Sequence, residues 1–238
     1  MKTLNCMHIS DTHEENVFEI VADSWSETKS APIDILFISG DLTYKGKLDK
    51  LKQLHEELEY LLMNHIVKEV FVIPGNHDLS FEKTIGYESK ENAMAIFSKN
   101  PKIHLVIHGA KTIQGLKIFG SAWTPYFHNW AFNYHDIRAK ELWDQIPQDT
   151  QVLVTHGPPR FILDEVVDYM NIRHTGCPVL ANKIEKLPIL QFHLFGHIHQ
   201  GYGIKKLHGI TYLNSSIMDE RYRPTNKPQY FEVKVYDD

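Results

Sequence analysis

Val70-Phe71-Val72-Ile73-Pro74-Gly75-Asn76-His77-Asp78 decides the fold: four β-rich apolar residues stop abruptly on a turn and a polar tripeptide. A short apolar run bounded by Pro and Gly is the pattern of a strand buried on both faces, as in a sheet covered by helices. Asn, His and Asp directly after such a strand are poor packing material, so they read as a site. The pattern recurs four times. Residues 4–9 run into Ser10-Asp11-Thr12-His13, 33–38 into Ser39-Gly40-Asp41, 152–155 into His156-Gly157-Pro158-Pro159, and 192–195 into Gly196-His197-Ile198-His199.

Helical patterns separate these strands. Leu48, Leu51, Leu54, Leu58, Leu61 and Leu62 repeat at helical spacing with charges between them. Further helices are expected near 91–98, 136–146 and 178–187, a hairpin over 111–123 around Gln114-Gly115, and last strands at 210–214 and 230–236. Strands alternating with helices indicate an α/β fold, and no repeat or linker divides the chain, so 1–238 reads as a single domain. In open α/β sheets ligands gather at the carboxyl edge of the strands. Five distant strand ends can therefore converge on one site.

Those ends offer Asp11, His13, Asp41, Asn76, His156, His197 and His199. Three oxygen and four nitrogen donors suit two divalent metal ions of the Mn, Fe or Zn type. In Asp11-x-His13 and His197-x-His199 the donors sit at i and i+2, which point the same way along an extended segment. Taken singly the motifs are weak, because Gly-Asp also marks turns and helix caps. Gly75-Asn76-His77-Asp78 is the most specific of them, and their joint occurrence, each after a strand, carries the assignment.

The series Asp11-x-His13, Gly40-Asp41, Gly75-Asn76-His77-Asp78, His156 and Gly196-His197-x-His199 resembles the calcineurin-like metallophosphoesterase superfamily. The resemblance implies a four-layer αββα sandwich with two stacked mixed β-sheets and the metal site at the C-terminal edge of the strands. It also implies one metal on Asp11, His13, Asp41 and His199, and a second on Asp41, Asn76, His156 and His197, with Asp41 bridging. A water shared by the two ions would then be the nucleophile. Gly120-Ser121-Ala122-Trp123-Thr124-Pro125-Tyr126-Phe127, Gly201-Tyr202-Gly203 and Pro224-Thr225-Asn226-Lys227-Pro228 look like the metallophosphoesterase-domain-containing family of animal brain and adrenal tissue. That group is described as class III-like cyclic nucleotide phosphodiesterases acting on 2′,3′-cyclic nucleotides. Some of its animal members carry Gly where His197 stands, so the His197 of this chain implies a complete two-metal centre.

A hydrolase of this kind must protonate its leaving alkoxide. His77, beside the ligand Asn76, is the expected general acid, with Asp78 orienting its ring. Trp123, Tyr126, Phe127, Trp130 and Phe132 supply core area first and a face for stacking a base second. Trp130, Asn133, Arg173 and Tyr202 are candidate substrate contacts, although Arg173 also reads as an ordinary solvated arginine. The expected substrate is a small nucleotide phosphodiester. A phosphomonoesterase with the same centre, and a non-catalytic scaffold, are the rival readings.

Composition narrows the partners. Lys and Arg number 25 against 30 Asp and Glu, a net charge of -5, which gives no basic footprint for duplex nucleic acid. No apolar run is long enough to cross a bilayer, so no membrane partner is expected. Residues 1–4 lead straight into a strand and leave no room for a signal peptide. Only Cys6 and Cys177 occur, too few for a disulfide framework, which points to the cytoplasm. Fifteen histidines, the commonest metal-ligand side chain, fit the donor set above.

Overall fold

The structure is a computed structural model that describes residues 2–28, 31–83, 89–168 and 170–236. In chain order the first half forms β1 (Lys2–Ile9), α1 (Val17–Thr28), β2 (Ile33–Ser39), α2 (Leu48–Met63), β3 (Val67–Ile73), α3 (Lys90–Phe97) and β4 (Ile103–Leu105). It continues through β5 (His108–Ile113), β6 (Leu116–Ser121), the short β7 (Thr124–Pro125) and β8 (Asn133–Tyr134), α4 (Asp136–Asp144) and β9 (Val152–Thr155). The remainder is β10 (Glu165–Asp168), β11 (Asn171–His174), α5 (Pro178–Ile184), β12 (Phe192–Phe195), β13 (Gly203–Leu207), β14 (Ile210–Asn214) and β15 (Gln229–Val235).

Two sheets result. The first has the order β15-β1-β2-β3-β4, with β1 to β4 parallel and β15 antiparallel to β1. The second has the order β13-β14-β12-β9-β6-β5, with its four inner strands parallel and both edge strands antiparallel. Each is therefore mixed.

The period-two alternation of side chains sorts every strand between two cores. Along β2, Leu36 and Ile38 face α1, α2 and α3, where they pack with Val21, Leu51, Leu58, Leu61 and Phe97. The alternate residues Ile35 and Phe37 face the second sheet and pack with Phe71, Ile118, Val154 and Leu194. On the far side of that sheet Leu153 and Phe195 pack with Trp143, Leu180 and Ile184 of α4 and α5. The layers are helix, sheet, sheet, helix, the four-layer αββα sandwich. Each fully buried large apolar side chain contributes about 1.5–3 kcal/mol. A polar substitution at Phe37 or Phe71, whose rings lie 5.9 Å apart, would strike the inter-sheet layer directly.

The leucine-striped helix, the 111–123 hairpin and the buried strands fall where the sequence predicts them. Helix α1, strands β4 and β13 and the β10–β11 hairpin have no counterpart in the sequence reading. The hairpin stands outside both sheets, with Val166 opposite Arg173 and Val167 opposite Ile172. Short alternation without a buried face leaves little periodic signal. Among the described residues no helix is long and apolar enough to cross a membrane.

Candidate metal centre

The seven donors come from two sheets. Asp11, His13, Asp41 and Asn76 follow β1, β2 and β3 of the first sheet. His156, His197 and His199 follow β9 and β12 of the second. The parallel strands of each sheet end at the same edge, and the two edges meet, which brings residues 186 positions apart together. Asp11 accepts hydrogen bonds from the His197 backbone N–H at 3.0 and 3.1 Å. His156 Nε2 lies 2.9 Å from Asn76 Oδ1 and 3.3 Å from Asp41 Oδ1. His199 Nε2 is 3.4 Å from Asp11 Oδ1, and His13 Nε2 is 3.8 Å from Asp41 Oδ2.

Two groups emerge, Asp11 with His13 and His199, and Asp41 with His156 and His197, the ligand atoms of each within 4.8 Å of one another. Asp41 reaches both histidine sets and lies between them. The turns that hold these donors are tight. Asp11, His13, Asp41 and His197 all have positive φ, from 43° to 65°. A left-handed non-glycine residue costs about 1–3 kcal/mol and persists only where its surroundings impose it. Gly196 has no room for a Cβ, which would run into the Asp11 carboxylate and Ser10 Oγ. Gly75 is equally confined, against the Asp41 backbone and carboxylate.

The chemistry of the set fits cations. Both ring nitrogens of His13 are buried without a hydrogen-bond partner among the described residues, and a metal would satisfy the one that carries the lone pair. His156 Nδ1 donates to the Ser39 carbonyl and His199 Nδ1 to the Asp219 carbonyl, each at 2.9 Å. Those bonds fix the tautomer and turn Nε2 of each ring toward the carboxylates. Burial lowers His13 and His197 to about 4, so both are neutral and carry a lone pair at neutral pH. Asp41 is held well below the usual carboxylate range: burial opposes its charge, but His156 and the neighbouring histidines outweigh it.

His77 stands beside this set. Its ring stacks on Trp130 at 4.0 Å, and Nδ1 donates to the Tyr44 carbonyl at 2.9 Å. Asp78 corrects the sequence reading. It is fully buried, and its carboxylate accepts from the backbone N–H of Leu42, Thr43 and Gly75 and from Thr43 Oγ1, at 2.8–3.0 Å. It therefore clamps the loop after Asp41 to the loop after β3, and the Tyr44 carbonyl orients His77 in its place.

Above the donors lies a cleft of about 700 Å³, within the range of small-molecule sites. Its lining joins Asp41, Asn76, His197 and His199 to Tyr126, Phe127 and Trp130 of the β7–β8 segment and to Val166, Arg173 and Thr175 of the β10–β11 segment. Of the five aromatics, Phe132 is buried and Trp123 half-buried in the core, while Tyr126 and Phe127 are exposed to the cleft. Trp130 and Arg173 both line this cleft. Asn133 is a second correction: its amide donates to the carbonyls of Phe127, His128 and Trp130, stapling the aromatic loop from behind. Tyr202 is a third, since its hydroxyl donates to the Lys227 carbonyl at 2.9 Å, away from the cleft lining. Tyr222 escaped the sequence reading. It packs edge-on at 5.0 Å from both His13 and His199, and a lone Tyr in a loop carries no spacing signal.

Residues 4–201 match the family Calcineurin-like phosphoesterase. The chain is 31% identical over 230 residues to the human metallophosphoesterase domain-containing protein 1, covering 89% of this chain and 69% of that one. A probable cyclic nucleotide phosphodiesterase of Vesicomyosocius okutanii is 28% identical over 178 residues, 74% of this chain and 66% of that protein. The crystal structure of TT1561 of Thermus thermophilus shares the fold, with a TM-score of 0.59 at 15% identity over 90% of this chain and 89% of that one. With a family match over most of its length and two histidine–carboxylate groups at the expected strand ends, this chain belongs to the calcineurin-like phosphoesterases, a family of metal-dependent hydrolases.

Proposed function

We propose that the protein is a metal-dependent phosphodiesterase acting on 2′,3′-cyclic nucleotides or related small nucleotide diesters. The observation that carries the proposal is the cleft itself, whose lining joins the metal donors Asp41, Asn76, His197 and His199 to the aromatic side chains Tyr126, Phe127 and Trp130. The likeness to a probable cyclic nucleotide phosphodiesterase supports it. One cation would sit on Asp11, His13, Asp41 and His199, the other on Asp41, Asn76, His156 and His197, with Mn as the first metal to try. The same reading treats 1–238 as one domain and, from two buried free cysteines, puts it in a reducing compartment such as the cytoplasm.

When bound, two divalent cations neutralise charge on the phosphate oxygens and acidify water. The chain's own residues do the rest. Because the Tyr44 carbonyl can only accept, the proton on His77 Nδ1 is committed there. A proton held at Nε2 is the one free to pass to the leaving alkoxide. Trp130 fixes the ring plane by stacking, and its other edge, with Tyr126 and Phe127, offers apolar area to a base.

The test is turnover of 2′,3′-cyclic, 3′,5′-cyclic, linear diester and monoester nucleotides by the Mn²⁺-loaded protein. Preference for 2′,3′-cyclic substrates supports the proposal. Turnover of monoesters alone, or of none of the four, overturns it.

A further inference from the structure

The β10–β11 hairpin lines the cleft from outside both large sheets, as the β7–β8 segment does, and it is fixed at three points. The Gln200 side chain accepts from the Val167 N–H at 2.7 Å and donates to the Val167 carbonyl at 3.4 Å, closing on the strand edge as a neighbouring strand would. Gln200 directly follows the candidate donor His199, so the hairpin is bolted to the turn that carries that donor. At the hairpin base the buried Asp164 carboxylate accepts from His174 Nδ1 at 2.9 Å and from the Gly176 N–H at 3.0 Å. The Asp164 carbonyl accepts from Thr175 N and Oγ1, both at 3.1 Å.

This arm presents one basic side chain. Period-two alternation puts Val166, Asp168, Asn171 and Arg173 on one face, and Val166 and Arg173 line the cleft. Arg173 is 65% exposed, and its only ion pair among the described residues is to Asp168 at 3.7 Å, itself 53% exposed. A pair so long and so wet is worth little and yields readily to a better anion. The scissile phosphate does not need Arg173, because the histidine–carboxylate floor is where that group would be neutralised. A planar, permanently charged and largely exposed fork that shares the lining of a cleft of about 700 Å³ with Tyr126, Phe127 and Trp130 matches a nucleotide with a further phosphate beyond its base and sugar.

We propose that Arg173 is a specificity-determining residue that selects nucleotide phosphodiesters carrying a second anionic group. That group is either a 5′-phosphate or the internucleotide phosphate of a short oligonucleotide ending in a 2′,3′-cyclic phosphate. The proposal rests on the diesterase reading for its substrates, but its binding test does not.

Calorimetry on the Mn²⁺-loaded protein compares adenosine 3′,5′-bisphosphate with adenosine 3′-phosphate, neither of which is a cyclic diester. The wild type is expected to bind the bisphosphate roughly tenfold more tightly, the scale of one charge-assisted phosphate contact. Arg173→Gln should bring the ratio to about one, and Arg173→Lys, which keeps the charge without the fork, should leave it in between. A wild-type ratio near one, or an Arg173→Gln protein that keeps the tenfold ratio, overturns the proposal. A parallel kinetic series uses adenosine 2′,3′-cyclic phosphate with and without a 5′-phosphate, and a dinucleotide ending in a 2′,3′-cyclic phosphate. Loss in Arg173→Gln is expected in KM rather than kcat, and is largest for whichever carrier is the better substrate. If the binding ratio behaves as expected while no cyclic diester is turned over, the diesterase reading falls and the role of Arg173 stands.

Discussion

His156 Nε2 and Asp41 Oδ1 meet at 3.3 Å across the junction of the two sheets, 115 positions apart in the chain, and both side chains are buried. Asp41 ends a strand of the first sheet and His156 one of the second, so the centre exists only when the sandwich is closed. The Asp41 carboxylate lies 3.8 Å from the His13 ring and 3.3 Å from the His156 ring, one imidazole of each group. Asp41→Asn keeps the shape and removes the shared charge. Metal analysis should then show well under two ions per chain. Removing several kcal/mol of charge stabilisation should cost kcat/KM roughly a thousandfold, and two retained ions would remove Asp41 from the bridging position.

Metal uptake should release a proton near neutral pH. Burial works against a charge on His156, but the Asp41 and Asp11 carboxylates and the Ser39 carbonyl raise it to about 9. His13 and His197, lowered to about 4 by burial, have no proton to give at pH 7. Without metal, the folded pKa of His156 lies above its ordinary 6.5. Its stabilising contribution is therefore complete below pH 6.5 and lost as pH rises through 9. A cation needs the neutral ring, so apparent metal affinity should climb about tenfold per pH unit from 7 to 9 and then level off. His199, raised as well, against its burial, by Asp11 beside it, adds to the release. Calorimetry in buffers of different ionisation enthalpy should therefore report at least about one proton released at pH 7, and buffer-independent heats would contradict it.

His77→Ala should separate proton delivery from metal binding. None of the candidate metal groups includes His77, so metal content should be unchanged. Turnover of ribose-leaving substrates should fall by about two to three orders of magnitude, the usual contribution of a general acid. A p-nitrophenyl diester releases a phenolate that needs no proton, and its turnover should fall by less than about tenfold. Equal losses on both substrates would place His77 in orientation rather than in acid catalysis.

The donors were legible because their chemistry is tied to a periodic feature. A strand buried on both faces must end somewhere, and Asp, Asn and His have no packing reason to stand there. The direction of a side chain within a turn is not encoded in spacing, and this is where the reading failed. Asp78 and His77 are neighbours, yet one turns inward to four donors and the other stacks on Trp130. Asn133 and Tyr202 carry suitable groups for a ligand, but Asn133 spends its amide on carbonyls of its own loop and Tyr202 its hydroxyl on the Lys227 carbonyl of the loop before β15. The 165–174 arm was invisible because the Gln200 and Asp164 side chains, rather than a hydrophobic face, hold it.

Asp78 should then behave as a structural residue with a catalytic consequence. Its four bonds tie Leu42 and Thr43, just after Asp41, to Gly75, just before Asn76. Burial, and then the charge of Asp41, raise its pKa to about 6, so the clamp costs stability that the four donors offset. Asp78→Ala leaves those donors without a partner, at a cost of about 3 kcal/mol. For a chain of this size that corresponds to a fall in Tm of roughly 6–12 °C. Because the clamp spaces Asp41 and Asn76, the variant should also bind its second ion more weakly while still folding at low temperature. Asp78→Asn, which keeps one acceptor, should lose less on both counts. A variant that melts like the wild type but has lost activity on every substrate would instead return Asp78 to a role in orienting His77.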